Sequence, residues 1–332
     1  MKRLWRKIDN QAVECRACEW RCKIPLGKAG ICGVRQNQGG ELKLVVRGKP
    51  AAVALDPIEK KPLFHFLPGS SIYSIGTVGC NLKCEFCQNW EISQSRYTIN
   101  DKRATRVKEI VDYCVKNKIN SIAFTYNEPT ILSEWAREIM KQAKKRQIYG
   151  VYVSNGYMTN DVLDYLEGEI DAYNIDLKSF SERYYKNICH ARVAPVLKNI
   201  KEIYRRKKWL EITTLVVPGK NDSHRELKEI AEFIAGVSPS IPWHVSAFRP
   251  EYLMMEVEAT KKEKLEEAYE IGKKTGLKYV YAGNVYDLKM SSTVCPGCGL
   301  EAIIRDGYEI RENKLKTGVC PKCGDKIEGV WE

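Results

Sequence analysis

The centre of the chain alternates short apolar runs with longer amphipathic segments. Runs such as Ser121–Tyr126 (SIAFTY) are rich in β-branched and aromatic residues and predict buried strands. Segments such as Val107–Lys116 repeat apolar residues at helical spacing. This alternation indicates a parallel sheet with right-handed crossovers. The other predicted strands are Ser71–Ile75, Tyr149–Ser154, Ala172–Asp176, Leu210–Val217, Trp243–Phe248 and Leu277–Ala282; the other predicted helices are Ile131–Arg146, Val196–Lys207, Ser223–Ala235 and Lys261–Lys274.

Six or seven strands are fewer than the eight of a complete TIM barrel, and no Gly-rich dinucleotide loop follows the first strand. The pattern therefore predicts an α/β fold, a partial TIM-type (β/α)6 barrel with small cysteine-rich modules at both ends. We expect a four-cysteine metal module and a strand pair in residues 1–70, the partial barrel in 71–290, and a zinc ribbon in 291–332. The strand pair is expected within Glu41–Ala54, where apolar and polar residues alternate.

With 332 residues and 44% hydrophobic content, the chain can bury a full core. It has no apolar run of membrane-spanning length and no apolar stretch typical of a signal peptide near its N-terminus, so we expect a cytoplasmic protein that does not bind membranes. The net charge is +12, with basic runs at Lys141–Arg146 and Lys198–Lys208. Such charge permits contact with nucleic acid or an acidic protein, but it is also typical of solvated helix faces.

Eleven of the thirteen cysteines fall into three clusters with metal-ligand spacing, and Cys114 and Cys189 are left over. In a reducing compartment such clusters indicate metal sites rather than disulfides. Cys114 is interpreted as a packing residue. Cys189 is interpreted as a buried thiol, with a hydrogen-donor role as the alternative.

The central cluster has the spacing C-x3-C-x2-C and contains Cys80, Cys84 and Cys87. Three thiolates can hold three irons of a [4Fe–4S] cluster and leave the fourth open, which suggests chemistry at iron. A three-cysteine zinc site completed by a distant ligand is the alternative, although zinc knuckles usually come as C-x2-C pairs.

The two outer clusters each offer four thiolates. Two C-x2-C knuckles near the C-terminus predict a zinc ribbon, with a rubredoxin-like iron as the competitor. The N-terminal spacing, C-x2-C-x3-C-x9-C, fits either zinc or an auxiliary iron–sulfur cluster. The ribbon ligands are Cys295, Cys298, Cys320 and Cys323, and the N-terminal ligands are Cys15, Cys18, Cys22 and Cys32.

Polar residues follow most of the predicted strands, at the edge where parallel α/β folds build their sites. The strings are DPIEKKPLFHFLPG, TVGCNLKCEFCQNW, FTYNEPT, VSNGY, IDLKSF, LVVPGKND, PWHVSAFRPEY and YAGNV, in this order. From about residue 15 to 285, the chain resembles radical S-adenosylmethionine (SAM) enzymes of the branch that contains pyruvate formate-lyase activating enzymes. It resembles most closely the radical SAM member of the AmmeMemoRadiSam system.

The resemblance implies a radical SAM type of partial barrel and a reaction. Cys80, Cys84 and Cys87 would hold a [4Fe–4S] cluster at which SAM is reductively cleaved to methionine and a 5′-deoxyadenosyl radical. That radical would abstract hydrogen from a substrate that the sequence does not name. The residues expected to contact SAM are Tyr126, Asn127, Glu128, Ser154, Asn155, Asp176, Lys178, Val217 and His244.

Two of these carry specific expectations. Glu128 would accept a hydrogen bond from the α-amino group of SAM, and Lys178 would neutralise the carboxylate. The structural alternatives are a helix cap at Glu128 and an ordinary ion pair between Asp176 and Lys178.

The resemblance also implies partners. A one-electron reductant of the ferredoxin or flavodoxin type is required, and the family is linked to a Memo-like and an AMMECR-like protein. One alternative function is activation of a glycyl-radical enzyme by hydrogen abstraction from a protein partner. RNA modification is a second alternative, suggested by the positive charge and the ribbon. A non-enzymatic metal scaffold is a third.

Overall fold

The computed structural model describes residues 3–95, 104–315 and 317–331. Its N-terminal part contains two small antiparallel sheets. The first has the order β1 (Trp5–Lys7), β2 (Val13–Cys15), β3 (Lys23–Ile24), and the second is a hairpin of β4 (Arg35–Gln38) and β5 (Glu41–Leu44). Cys15 is the last residue of β2, Cys18 and Cys22 lie between β2 and β3, and Cys32 lies between β3 and β4.

The main sheet has eight strands, and their spatial order follows the chain. The first is antiparallel to its neighbour and the other seven run parallel. The expected α/β class with a mostly parallel sheet is confirmed. The strands are β6 (Ala52–Pro57), β7 (Ser71–Gly76), β8 (Ser121–Phe124), β9 (Tyr149–Ser154), β10 (Ala172–Asp176), β11 (Trp209–Val216), β12 (Trp243–Ala247) and β13 (Val280–Gly283).

Helices connect the parallel strands and bury one face each. In α3, for example, Trp135, Ile139 and Met140 are buried while the opposite face is solvated. A single π-helical turn, Tyr185–Cys189, follows α5. The helices are α1 (Trp90–Ser93), α2 (Val107–Lys116), α3 (Ser133–Ala143), α4 (Asn160–Tyr165), α5 (Glu182–Tyr184), α6 (Ala194–Arg205), α7 (His224–Val237), α8 (Lys262–Lys274) and α9 (Leu288–Ser291).

The expected strand pair within Glu41–Ala54 is wrong. β5 pairs with the preceding β4, to which a two-residue turn joins it, whereas β6 pairs with β7. Alternation of apolar and polar residues indicates a half-exposed strand but does not specify the strand with which it pairs. β6 is such a strand: it lies at the edge of the main sheet, and Val53 and Leu55 are about half exposed. The main sheet therefore begins before residue 71, and its seven parallel strands correspond to the seven strand ranges predicted from the sequence.

The sheet curves around one cavity of about 290 Å³, which is lined by residues from the end of β7 through to β13. Seven flat strands spaced about 4.8 Å apart would span roughly 29 Å, too far for both ends to face one such cavity. The curve stays open, because β6 and β13 lie at opposite edges of the sheet order. This is the partial barrel that the sequence predicts.

The C-terminal module is a three-stranded antiparallel sheet of β14 (Thr293–Val294), β15 (Glu301–Asp306) and β16 (Glu309–Asn313). It shares a small hydrophobic core with the barrel, in which Ile303 and Ile327 pack with Phe64, Tyr279 and Tyr281. The module is therefore packed onto the barrel rather than tethered to it.

Arg305 of β15 connects this module to the barrel. The side chain is fully buried, donates to the carbonyl of Phe64 at 2.7 Å and to Thr293 Oγ1 at 2.8 Å, and lies 4.3 Å over the Phe64 ring. Its Nε lies 3.6 Å from Oε1 of the equally buried Glu59, which precedes the barrel in the chain. The guanidinium and the carboxylate are both removed from water, so each needs the opposite charge of the other to offset its lost hydration.

None of the helices in the described ranges is long and apolar enough to cross a membrane.

We expect Arg305→Met to lower the free energy of unfolding by about 3–5 kcal/mol, because it leaves the carboxylate of Glu59 buried without its counter-charge. Arg311→Met is the matched control on the same module, since that side chain is 63% exposed and should change stability by less than about 0.5 kcal/mol. Urea midpoints of the two variants measure the difference. Equal shifts would contradict the role given to Arg305.

Candidate active site

The loop after β7 carries Cys80, Cys84 and Cys87, and side chains from neighbouring elements hold it in place. Asn127 Nδ2 donates to the carbonyls of Thr77 at 2.6 Å and Gly79 at 3.1 Å. Since the loop has no regular secondary structure before α1, these bonds fix its path.

Gly79 passes against the N-terminal module at the start of this loop. Its φ is +89°, and a β-carbon there would lie 2.5 Å from the carbonyl oxygen of Cys32 and 2.8 Å from Val34. Only glycine allows both the conformation and the contact.

The three cysteines all line the cavity. The Leu82 amide donates to Cys80 Sγ at 3.5 Å, and Ser93 Oγ lies 3.2 Å from Cys87 Sγ. Burial raises the pKa of Cys80 well above its usual range and raises that of Cys87 as well. Burial therefore favours the neutral thiols, and their thiolate forms would need a cation such as a metal centre beside them.

Cys84 differs from the other two. A hydrogen bond with the Cys189 thiol, followed by the charge of Lys178, lowers the pKa of Cys84 despite its burial. The amides of Lys83 and Glu85 bond the carbonyls of Cys189 and Ile188, which brings the π-helical turn against this loop. Cys189 is fully buried, as expected of a packing thiol, but it packs against a candidate ligand.

Glu128 does not line the cavity, and its carboxylate is already occupied. It is 1% exposed and accepts from the Thr130 amide at 2.9 Å, Ser154 Oγ at 2.8 Å and the Asn155 amide at 2.8 Å. Burial raises its pKa, although these bonds oppose the rise. Glu128 thus joins the loops that follow β8 and β9. Ser154 and Val217 also lie outside the cavity lining.

Five of the six remaining expected SAM contacts are neutral or acidic and one is basic, and all six line the cavity: Tyr126, Asn127, Asn155, Asp176, Lys178 and His244. Lys178 Nζ lies 2.8 Å from Asp176 Oδ2 and 5.5 Å from the centre of the Phe86 ring. Burial opposes a charge on Lys178, but Asp176 and the neighbouring thiols raise its pKa well above the usual value. The cavity wall therefore carries a permanent ion pair beside the cysteines.

Two buried amide atoms in this region have no hydrogen-bond partner among the described residues, Asn127 Oδ1 and Asn81 Nδ2. Asn81 is anchored through its other atom, which accepts from Asn155 Nδ2 at 2.8 Å. Of the two residues, Asn127 lines the cavity, where its buried Oδ1 suits a ligand that donates a hydrogen bond, such as an amino group.

The adjoining part of the wall includes His244 of β12, whose Nε2 is bonded to the fully buried Glu211 of β11 at 2.6 Å. Burial would raise the pKa of Glu211, but the bond from His244 and the charges of both neighbouring histidines hold it below the usual value. The hydrogen bond to the Glu211 carboxylate therefore fixes the orientation of the His244 ring.

Sequence reasoning missed several lining residues. Thr213 and Leu215 face the cavity from β11, and their alternate positions could have been found from the two-residue period of a strand. Glu59 and Tyr308 line it from the preceding connector and from the β15–β16 turn. Nothing in the sequence links Tyr308 to the barrel, because it belongs to a separate cysteine-rich module.

The C-terminal cysteines form a compact group. Their four sulfurs all lie within 4.8 Å of one another, and two pairs, Cys295–Cys323 and Cys298–Cys320, are 3.6 Å apart. Four sulfurs bound to one tetrahedral ion at about 2.3 Å would be about 3.8 Å apart. The geometry fits a single metal ion.

A curved parallel sheet with three cavity-facing cysteines after its first parallel strand defines a class of enzymes. Residues 74–234 match the Radical SAM superfamily, and the chain belongs to this superfamily. Its members use a [4Fe–4S] cluster and SAM, and the three thiols, the ion pair and the unpartnered amides described above fit such groups.

Particular relatives cover most of the chain. An uncharacterized protein of Methanocaldococcus jannaschii is 37% identical over 329 residues, 98% of each chain. A second protein of that organism, provisionally named as a glycyl-radical enzyme activating enzyme, is 26% identical over 202 residues, 60% of this chain and 75% of that one. Among solved structures, a radical SAM methyltransferase from Sphaerobacter thermophilus has a TM-score of 0.52 at 13% identity, covering 66% of this chain and 68% of that one. The last likeness concerns the fold alone.

We expect Gly79→Ala to destabilise the protein more than Gly27→Ala. Both positions have a positive φ and pay about 1–2 kcal/mol for a β-carbon, but only Gly79 also meets backbone within van der Waals distance. The extra cost should be about 1–3 kcal/mol. Urea midpoints and the iron retained after anaerobic reconstitution measure it. Indistinguishable variants would contradict the close packing at Gly79.

Proposed function

We propose that this enzyme cleaves SAM reductively at a [4Fe–4S] cluster on Cys80, Cys84 and Cys87, and that the resulting 5′-deoxyadenosyl radical abstracts hydrogen from a polypeptide. The observation that carries this proposal is the single cavity shared by the three thiols, the Asp176–Lys178 pair and His244. Family membership supports the chemistry, and the cavity mouth supports the substrate class.

Different residues of the cavity would bind different groups of SAM. Lys178 would face the carboxylate of the methionine part, where its raised pKa keeps it charged. The unpartnered Oδ1 of Asn127 would accept a hydrogen bond from the α-amino group, which is the role expected of Glu128 in the sequence analysis. Glu128 would not contact SAM itself, but would hold the cavity-lining Asn155 in place through the hydrogen bond from the Asn155 amide.

The mouth of the cavity favours a polypeptide substrate. Leu253 and Met255 are 64% and 61% exposed, and Trp90 stacks on Tyr252 with ring centres 5.3 Å apart. The Leu253 amide bonds the carbonyl of Glu85, so this apolar rim adjoins the cysteine loop. Apolar side chains beside a reactive centre suit the docking of a peptide segment better than that of a phosphate backbone.

Protein partners are also suggested by similarity. The relative provisionally named as a glycyl-radical enzyme activating enzyme supports a protein substrate. The resemblance to the AmmeMemoRadiSam system makes the Memo-like and AMMECR-like proteins the first candidates, with a ferredoxin or flavodoxin as reductant.

RNA modification has less support. Four of the ten basic residues in the two expected runs form ion pairs with carboxylates: Lys144, Arg205, Arg206 and Lys208. Such pairs reduce the positive potential available to a phosphate backbone.

The C-terminal module is proposed to hold structural zinc. A closed set of four thiolates around one ion is typical of structural zinc sites. Since Arg305 and Tyr308 join this module to the barrel, the ion would stabilise one side of the cavity wall.

We expect Cys84→Ala to abolish formation of 5′-deoxyadenosine. The protein would be reconstituted anaerobically with iron and sulfide, reduced with dithionite and supplied with SAM, and the product measured by liquid chromatography. Cys114→Ala is the matched control, since that buried cysteine lies in α2, outside the cavity. Product from Cys84→Ala at the control's level would refute the assigned cluster.

The substrate class is tested by deuterium transfer. Memo-like and AMMECR-like proteins produced in deuterated medium should pass deuterium into 5′-deoxyadenosine, because the abstracted hydrogen ends on that product. Deuterated transfer RNA should pass none. Label from transfer RNA alone, or from small metabolites alone, would exclude a polypeptide substrate.

A further inference from the structure

The N-terminal cysteines lie directly behind the candidate active site. The carbonyl of Cys32 contacts Gly79, and Trp20 Nε1 donates to the carbonyl of Asn81 at 2.7 Å. Gly79 and Asn81 flank Cys80, so the N-terminal module supports the catalytic loop on both sides of its first ligand.

The same module also holds a second loop of the cavity. Cys18 forms an isolated antiparallel bridge with Met158, and Thr159 Oγ1 donates to the carbonyl of Arg16 at 2.6 Å. This loop begins at Asn155, which lines the cavity. The N-terminal ligand Cys32 therefore contacts Gly79, the residue directly before the catalytic ligand Cys80.

The spacing of the sulfurs distinguishes the three cysteine groups. Among the described residues, only the C-terminal group has three or more ligand atoms all within 4.8 Å of one another. The N-terminal group does not meet this limit, although the Cys15 amide bonds the carbonyl of Cys22 at 2.9 Å. Cys80, Cys84 and Cys87 do not meet it either. One zinc ion needs sulfurs about 3.8 Å apart, whereas a polynuclear cluster holds its cysteines further apart because each binds a different iron.

A buried donor points to the same conclusion. Arg35 is 3% exposed, and both of its terminal nitrogens are bonded, to Glu134 at 2.7 and 2.5 Å and to the carbonyl of Ile131 at 3.1 Å. Its Nε is buried without a partner among the described residues. The guanidinium charge acts on Cys15 and Cys32. A positive charge near the sulfurs is one means by which proteins tune iron–sulfur clusters.

The N-terminal module is rich in basic residues, and Lys23 and Lys28, close to Cys22 in the chain, are exposed. Residues 3–49 contain eleven basic and four acidic side chains, a net charge of +7 out of +12 for the whole chain. Cys22 is the partly exposed ligand of its group, and the nearby Leu26 and Ile31 are 48% and 44% exposed. A basic surface around an apolar, partly exposed ligand suits an acidic electron carrier.

We propose that Cys15, Cys18, Cys22 and Cys32 hold an iron–sulfur cluster, through which an acidic one-electron carrier protein reduces the catalytic cluster. The carrier loses one electron, the N-terminal cluster gains it and passes it on, and the catalytic cluster is reduced by one electron. No bond or proton is exchanged. The site is independent of the substrate proposed above.

The metal content of full-length variants tests the site. In the triple variant Cys80→Ala/Cys84→Ala/Cys87→Ala, anaerobic reconstitution should leave about two to four irons, matching sulfide and about one zinc per chain, with a cluster signal by Mössbauer spectroscopy. Adding Cys15→Ser and Cys18→Ser should remove this iron and sulfide. The wild type, whose folding is not in question, should hold more iron than one [4Fe–4S] cluster provides. Two zinc ions per chain without sulfide in the triple variant would overturn the proposal.

The electron route has its own test, which does not depend on SAM cleavage. Lys23→Glu/Lys28→Glu should slow reduction of the clusters by reduced flavodoxin at least about fivefold at low salt, because it opposes electrostatic steering. Reduction by photoreduced 5-deazaflavin should be unchanged. Lys228→Glu/Lys274→Glu, on the outer helices α7 and α8, is the matched control. Absorbance bleaching in a stopped-flow instrument measures the rates, and equal rates for both pairs would exclude the N-terminal route.

Discussion

Three sulfur atoms have to face one cavity from a loop that has no ladder of backbone hydrogen bonds of its own. Hydrogen bonds from neighbouring residues therefore hold the loop in place. Asn127 donates to two of its carbonyls, Trp20 donates to a third, and Asn155 donates to the side chain of Asn81. Glu128, in turn, holds Asn155. The arrangement of the active site thus rests on buried polar groups from two loops of the barrel and from the N-terminal module. Loss of one would leave others unsatisfied, at a cost of about 1–3 kcal/mol each.

Both ends of the chain take part in the barrel. The N-terminal module lies behind the catalytic loop, and the C-terminal module closes the opposite side through Arg305 and Tyr308. The N-terminal module supports the loops that follow β7 and β9, and the C-terminal module adds Tyr308 to the cavity wall. This explains how a sheet of eight strands supports a cavity with walls on several sides.

The sequence predicts the central strands well because parallel strands are buried on both faces and appear as continuous apolar runs. It does not predict partners, which is why the strand pair at Glu41–Ala54 is wrong. The residue types of the site were identified from strand ends, but the direction of each side chain depends on backbone geometry. Glu128 follows a strand as expected, yet it turns away from the cavity to bond Thr130 and Ser154. Tyr308 could not be predicted, since no local pattern relates the β15–β16 turn to a cavity that is formed by the strands and loops of the barrel.

The contact at Gly79 has a consequence for inheritance. Every missense change of a glycine codon introduces a β-carbon, and at this position a β-carbon meets the backbone of Cys32. No replacement of Gly79 is therefore expected to be neutral as long as the N-terminal module is present. A lineage that lost the module would be released from this restriction, so the residue at this one site should record whether the two parts have evolved together.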